Sequence, residues 1–152
     1  MNGYHAVNDI LVKLFNDILD IEEKAVITGD FKDITNNDMH VIEAIGMEEP
    51  KNMSTVAKAL SVTVGTLTIA VNNLVKKGYV ERKRSEFDRR VVLVSLSEKG
   101  TQAYLHHKKF HEEMVDAILE GFSEEETRIL VKAMSNLGEF FRSYGKKKVR
   151  NN

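Results

Sequence analysis

Five basic side chains are concentrated in the stretch ERKRSEFDRRVV, at positions 82 to 90. They are Arg82, Lys83, Arg84, Arg89 and Arg90. The formal charge of the whole chain is −1, so a generally basic composition does not explain this cluster. Cations at this density attract polyanions, and phosphate contacts supply most of the non-specific affinity of proteins for DNA. The other interpretation is a solvated charged surface, and the neighbouring segments have to distinguish the two.

The charges are segregated along the 152 residues. Residues 51–92 carry nine basic and three acidic side chains, whereas residues 1–50 carry three basic and eleven acidic ones. The basic middle is therefore the expected surface for a polyanion. The absence of cysteine excludes disulfides, thiolate metal sites and thiol redox chemistry. No apolar run approaches the ~20 residues of a membrane span and no signal sequence is visible, so we expect a cytoplasmic protein without a membrane partner.

Apolar spacing predicts two helices ahead of the basic region. Residues 5–27 place apolar side chains three and four positions apart, which is typical of one long helix, and Gly29 should end it. The second helix should begin after Thr35 or Asn36 and stop at Gly46.

The segment that follows predicts a helix-turn-helix. Ser54 is the expected cap of a short helix, the polar residues 61–63 break it, and a second helix should run over about 64–77 with Gly78 closing it. Two helices joined by so short a turn form a motif whose second helix commonly enters the major groove of DNA.

The cationic stretch itself reads as a β-hairpin. YVERKR and RVVLVSL have the alternation and β-branching of strands, and SEFD joins them. A helix-turn-helix followed by a charged hairpin is the winged arrangement, so the cations should lie on a wing that reaches along DNA.

Two further helices complete the chain. One should begin at Ser97, and the pattern SEEE from Ser123 predicts a capping box at the start of the last. These two helices, with the first, are too apolar for the arms of a small monomer, so we expect them to pair with a second copy. The predicted fold is mainly α with a small β-hairpin wing: a winged helix-turn-helix at 35–96, dimerisation helices at 1–30 and 97–145, and a basic tail at 146–152.

Residues 60–100 resemble the DNA-binding core of the MarR family of bacterial regulators. LVKKGYVER, DRR and VSLSEKG follow one another at the spacing of that family, and the order of helices agrees over nearly the whole chain. The resemblance implies a homodimer with interleaved terminal helices, two winged modules on a pseudo-palindromic duplex, and an effector pocket between the dimerisation and DNA-binding parts.

Within the family the sequence is most similar to the FabT-type regulators, notably in VGTLTIAVNNLVKKGYVERKR. That similarity implies a repressor of fatty-acid synthesis genes with long-chain acyl-acyl carrier protein as corepressor. The alternative is a regulator that responds to zinc or to a small lipophilic ligand.

Helix geometry predicts which side chains of the second helix of the motif meet DNA. Val64, Leu67, Val71 and Leu74 share the inner face. The expected DNA-facing residues are Thr66, Thr68, Ile69, Asn72, Asn73 and Lys76. Asn72 can pair with adenine, the threonines can meet base edges and Lys76 suits phosphate. Ile69 replaces an arginine that is common in the family, and its natural apolar partner is a thymine methyl, which predicts an A·T-rich operator.

On the wing, side chains alternate along the strand, and we expect Arg82 and Arg84 to face the duplex. Arg89 or Arg90 should enter the minor groove, where narrow A·T tracts concentrate negative potential. Phosphate would repel Asp88, so its expected role is to hold Arg84, Arg89 or Arg90 in place.

The sequence indicates the residues that would bind an effector less specifically than those that would contact DNA. Apolar residues of the first, second and fifth helices could line a tunnel for an acyl chain, although any of them could equally be core. They are Leu14, Phe15, Ile18, Met39, Ile42, Leu105, Phe110 and Met114. His40, His107 and His111, with Glu22 or Glu23, form the alternative zinc site. No cofactor is expected, and the sequence offers no nucleophile and base pairing or phosphate-binding glycine loop, so we expect no enzyme.

Overall fold

The computed structural model of the protein describes residues 3–26 and 29–149. It is 72% helical, with six helices and a small three-stranded sheet in the described part. The elements are α1 (Gly3–Val26), a 3₁₀ helix (Gly29–Phe31), α2 (Asn36–Ile45), β1 (Lys51–Asn52), α3 (Met53–Leu60), α4 (Val64–Lys76), β2 (Val80–Arg84), β3 (Val92–Leu96), α5 (Glu98–Leu119) and α6 (Glu124–Val149). Residues 150–152, the end of the predicted basic tail, lie outside the described residues.

The chain divides into two compact units, one through Phe110 and one from His111, and α5 runs from the first into the second. The core of the first unit comes from α2, α3, α4 and the sheet. The α4 contribution is Leu67, Val71 and Leu74, which are almost completely buried. This is the inner face expected from the spacing, except that Val64 at the start of α4 is exposed. Burial of a Leu or Val side chain stabilises a fold by about 1.5–3 kcal/mol, so this stripe fixes which face of α4 remains outside.

Local capping explains where α2 begins and ends. Thr35 accepts a hydrogen bond from Asp38 N through its side chain, while the Asp38 carboxylate accepts one from Thr35 N, which completes a capping box. Gly46 ends the helix with φ of 69°, a conformation that a side chain would disfavour.

One predicted boundary is wrong. The cap of α3 is Asn52 and not Ser54, because the Asn52 side chain accepts from Thr55 N at 2.8 Å and the helix already begins at Met53. Helix α1 is described as far as Val26, its predicted end at residue 27 lies outside the described residues, and Gly29 begins the 3₁₀ helix.

The predicted hairpin is confirmed, and the structure adds one strand to it. Strands β2 and β3 are antiparallel, with Arg82 opposite Val94. The two-residue strand β1 pairs with the other edge of β3, so the sheet order is β1-β3-β2. Gly100 on α5 lies so close to the backbone of Tyr79 that a Cβ at this position would collide with the Tyr79 carbonyl oxygen.

Within the second unit, α6 exposes a large apolar surface. Its exposed apolar side chains are Ile129, Val131, Met134, Leu137, Phe140, Phe141 and Tyr144. Phe140 stacks on Tyr144 with ring centroids 5.7 Å apart, and it meets Phe141 edge-on. Contiguous apolar surface of this kind marks an interaction site in a protein. In the described part of the chain no single helix is long and apolar enough to cross a membrane; α3 and α4 reach those limits as a pair, but with a bend of 105° between them.

Candidate nucleic-acid interface

The helix-turn-helix consists of α3 and α4. The axes of the two helices differ by 105°, and residues 61–63 form the turn between them. Ser61 adopts a left-handed conformation with φ of 55°, and the Thr63 hydroxyl accepts a hydrogen bond from Thr66 N at 3.1 Å. The cap at Thr63 therefore fixes the start of α4, the helix expected to enter a groove.

The outer face of α4 presents a mixed polar and apolar surface. Thr66, Asn73 and Lys76 are exposed, and Ile69 is 67% exposed. Thr68 is half-buried, and its hydroxyl donates to the carbonyl oxygen of Val64 at 2.8 Å. The hydroxyl of Thr68 can therefore only accept a further hydrogen bond.

Among the α4 residues that were predicted to contact DNA, Asn72 alone forms a hydrogen bond with a residue of the wing in the described part of the chain. Arg82 Nη1 on β2 donates to Asn72 Oδ1 at 2.6 Å. This links the recognition helix directly to the first strand of the wing. Sequence reasoning assigned Arg82 to the duplex and did not foresee this contact.

Hydrogen bonds within the hairpin order the turn between its strands. Arg84 Nη1 donates to the carbonyl oxygen of Arg89 at 2.8 Å. The Ser85 hydroxyl accepts from Phe87 N and Asp88 N, at 3.2 and 3.4 Å. Arg84 thus serves the turn itself, in addition to its place on the strand that was expected to face DNA.

Of the three arginines that Asp88 was expected to hold, it contacts Arg90. Two N–H groups of Arg90 donate to the two carboxylate oxygens, each at 3.0 Å. These hydrogen bonds lower the pKa of Asp88. Within the residues that the structure describes, the side chain of Arg89 forms no hydrogen bond or ion pair, so its guanidinium projects from the wing unneutralised.

A polar network holds the end of α4, and sequence reasoning missed it. Lys77 Nζ lies 3.0 Å from Asp38 Oδ2, and the Tyr79 hydroxyl donates to Asp33 Oδ1 at 2.5 Å. Lys99 Nζ lies 4.3 Å from the centre of the Tyr79 ring. Burial, reinforced by Asp33, raises the pKa of Tyr79, and the Tyr79 hydrogen bond lowers the pKa of Asp33. The partners are separated by 39 and 46 positions, so no local signal could have paired them.

The expected tunnel residues fall into different environments. Met39 and Ile42 are buried in the core, whereas Leu14, Phe15, Ile18 and Leu105 are exposed in the single chain. Phe110 and Met114 are partly buried. A cavity of about 530 Å³ instead lies among α2, α3 and α4, and none of the expected tunnel residues lines it.

The histidines of the alternative zinc site lie on α2 and α5. Glu43 contacts two of them: its carboxylate is 2.7 Å from His107 Nδ1 and 3.5 Å from His40 Nδ1. The hydrogen bond from His107 lowers the pKa of Glu43, although partial burial opposes this shift. Glu22 and His107 place ligand atoms within 4.8 Å of one another. His111 lies four residues after His107 on α5.

Comparisons with known proteins cover most of the chain. The sequence model of the MarR family matches residues 32–91. A crystal structure of Streptococcus pneumoniae FabT in complex with DNA superimposes with a TM-score of 0.87 and 44% identity, covering 93% of this chain and 99% of that one. The regulator SarZ of Staphylococcus haemolyticus is 32% identical over 107 residues, which are 69% of this chain and 70% of SarZ. PchR of Bacillus subtilis is 26% identical over 102 residues, and the chain spans 60% of its length.

Proposed function

Because this chain belongs to the MarR family, whose members are DNA-binding transcription regulators and not enzymes, we propose that it is a homodimeric repressor of fatty-acid synthesis genes. Its corepressor is long-chain acyl-acyl carrier protein. The observation that carries the proposal is the 44% identity to DNA-bound FabT over almost the full length of both chains. The operator is a pseudo-palindromic, A·T-rich duplex.

The roles at DNA follow from the surface of α4 and the wing. Thr66, Ile69 and Asn73 are exposed on α4, where side chains of a recognition helix meet base edges, and Lys76 lies near its end, suited to phosphate. Thr68 offers an acceptor to a base amino group. These side chains read the major groove.

On the wing, Arg89 is the arginine that enters the minor groove. Asp88 neutralises Arg90, and the Arg84 side chain is committed to the turn, whereas Arg89 carries a charge that no described residue neutralises. A narrow minor groove attracts an unpaired guanidinium most strongly, because the electrostatic potential there is most negative. Asp88 therefore acts by holding Arg90 beside the groove.

Dimerisation covers the exposed apolar surface of α6. Seven large apolar side chains on one helix exceed what a monomer of this size leaves open to water. A two-fold dimer also matches the pseudo-palindromic operator, since each protomer then reads one half-site.

Anisotropy of a labelled duplex tests the proposal. A pseudo-palindromic duplex from a fatty-acid synthesis promoter is titrated with protein alone, with long-chain acyl carrier protein, and with the unacylated carrier; a scrambled duplex of equal composition is the control. Tighter binding with the acylated carrier alone supports the corepressor. Binding that the carrier leaves unchanged rejects the corepressor but not the regulator, and equal affinity for the scrambled duplex rejects sequence-specific binding.

A zinc response is the second candidate, and the Glu43 contacts favour it. A carboxylate at Nδ1 of His107 is the arrangement that orients a histidine whose second ring nitrogen binds metal. His40 and His107, with Glu22, would hold the ion. A change of DNA affinity on adding zinc, reversed by a chelator and absent in His107→Ala, supports this candidate; no change excludes it and leaves a small lipophilic ligand.

A further inference from the structure

We infer that Asn72 and Arg82 act as one unit that reads the acceptor-rich edge of guanine in the major groove, and that Arg82 is the residue that sets this preference. The inference rests on the proposed function, because it assumes that α4 lies in the groove. It replaces the expectation that Asn72 pairs with adenine.

The contact between the two side chains fixes the orientation of the amide. A guanidinium can only donate hydrogen bonds, so the Asn72 atom 2.6 Å from Arg82 Nη1 is the oxygen. The amide nitrogen, with its two N–H donors, is therefore turned away from Arg82. Without such a partner, an amide is free to rotate and to present either polar atom to a base.

Adenine suits this arrangement poorly. A two-bond contact to adenine requires the amide oxygen to accept from the N6 amino group while the amide nitrogen donates to N7. Asn72 Oδ1 keeps a second lone pair, but an amino group that used it would place its own positive hydrogens beside the guanidinium cation. Repulsion between these donors disfavours that contact.

Guanine suits it well, because both of its major-groove atoms, N7 and O6, are acceptors. The Asn72 amide nitrogen can donate to one of them, and Arg82 keeps four N–H donors beyond the bond to Asn72. Asn72 is half-buried on α4, and its hydrogen bond to Arg82 restrains both side chains, so less rotameric freedom is lost on binding.

Lys83 supplies a matched control. It is the next residue on β2, it has the same charge, and its side chain points to the opposite side of the strand. Its backbone pairs with Leu93 on β3, but no described residue forms a hydrogen bond or ion pair with the Lys83 side chain. Removing either cation lowers the electrostatic attraction to DNA, but only removal of Arg82 changes the environment of Asn72.

The experiment is selection of binding sites from a randomised duplex library by the full-length wild-type protein, Arg82→Ala, Arg82→Lys and Lys83→Ala. We expect the wild type, Arg82→Lys and Lys83→Ala to select a G·C pair at one position in each half-site. Arg82→Ala should select adenine there, with a change in preference of about tenfold. Circular dichroism and sedimentation establish that each variant is folded with unchanged assembly.

A second arm needs no variant. Replacing the selected guanine by 7-deazaguanine removes the N7 acceptor and retains base pairing, and it should weaken wild-type binding about fivefold. Selection of adenine by the wild type, or of the same base by the wild type and Arg82→Ala, overturns the inference, as does indifference to 7-deazaguanine. If the wild type selects no sequence at all, the result contradicts the proposed function of sequence-specific DNA binding, on which this inference rests.

Discussion

Lys77, the residue that caps the end of the recognition helix α4, places its Nζ 3.0 Å from the Asp38 carboxylate in the first turn of α2. The same carboxylate accepts from Thr35 N and closes the α2 capping box. The side chains of Asp38 and Lys77 are 12% and 32% exposed. One carboxylate thus ties the start of α2 to the end of α4.

Asp38→Ala should therefore lower the free energy of unfolding by about 2 kcal/mol, since it removes a cap and an ion pair together. Lys77→Ala should cost about 1 kcal/mol. In urea unfolding, the double variant should resemble Asp38→Ala, because Lys77 has lost its partner already. Additive effects of the two substitutions would show that the ion pair contributes nothing.

Tyr79→Phe should destabilise the fold by about 2 kcal/mol near neutral pH, because it deletes a hydrogen bond to a carboxylate. The pKa of Asp33 is lowered, so its contribution is lost as pH falls through the folded value, below 3.8. The pKa of Tyr79 is raised, so wild-type stability also falls above about pH 10, where the unfolded tyrosine ionises first. The stability difference between wild type and Tyr79→Phe, measured by urea unfolding against pH, should narrow at both ends; a flat difference would contradict the pairing.

Arg89→Ala should weaken DNA binding and reduce the slope of log K against log salt by about 1 for each wing that neutralises a phosphate charge. Lys132→Ala removes an equal charge from α6 and should leave the slope unchanged. Anisotropy titrations at several salt concentrations measure both variants. Equal slopes for wild type and Arg89→Ala would show that Arg89 does not neutralise a phosphate charge.

Ile69→Ala should weaken operator binding about fivefold if the side chain packs on a thymine methyl. The decisive measurement replaces thymines of the operator one at a time with uracil, which lacks only that methyl group. The wild type should lose affinity at one position of each half-site, and Ile69→Ala should not. Loss at the same position in both proteins would assign the methyl contact to another residue.

Phe141→Asp should convert the protein to monomers, because it places a charge in the apolar surface of α6. Lys132→Asp introduces the same charge, at a position that the helical spacing places on the opposite side of α6 from that surface. Sedimentation equilibrium should show monomers for Phe141→Asp and dimers for Lys132→Asp. A dimeric Phe141→Asp would mean that another surface joins the protomers.

Periodicity and capping chemistry predicted most of the first unit. The spacing of Leu67, Val71 and Leu74 identified the inner face of α4, and Thr35 was one of the two residues expected to cap α2. Such signals act within one turn of helix, so they are visible in the sequence. The two-residue strand β1 carries no pattern of its own and exists only because β3 offers an edge.

The candidate interface was predictable by residue type but not by pairing. The spacing indicated that Asn72 and Arg82 belong to DNA-facing elements, yet their hydrogen bond depends on how β2 packs beside α4. The preference for Asn52 over Ser54 as a cap is a similar case. Both residues can cap a helix, and the pairing of β1 with β3 sets the backbone so that Asn52 does so.

The hydrogen bonds that Arg84 and Ser85 form within the hairpin have a consequence for the thermodynamics of association. A disordered turn would lose conformational entropy on meeting its target, at about 1–2 kcal/mol for each residue fixed. Here that loss occurs during folding, before any encounter. On binding, the wing then loses only the rotameric freedom of a few exposed side chains. More of the electrostatic attraction therefore contributes to affinity.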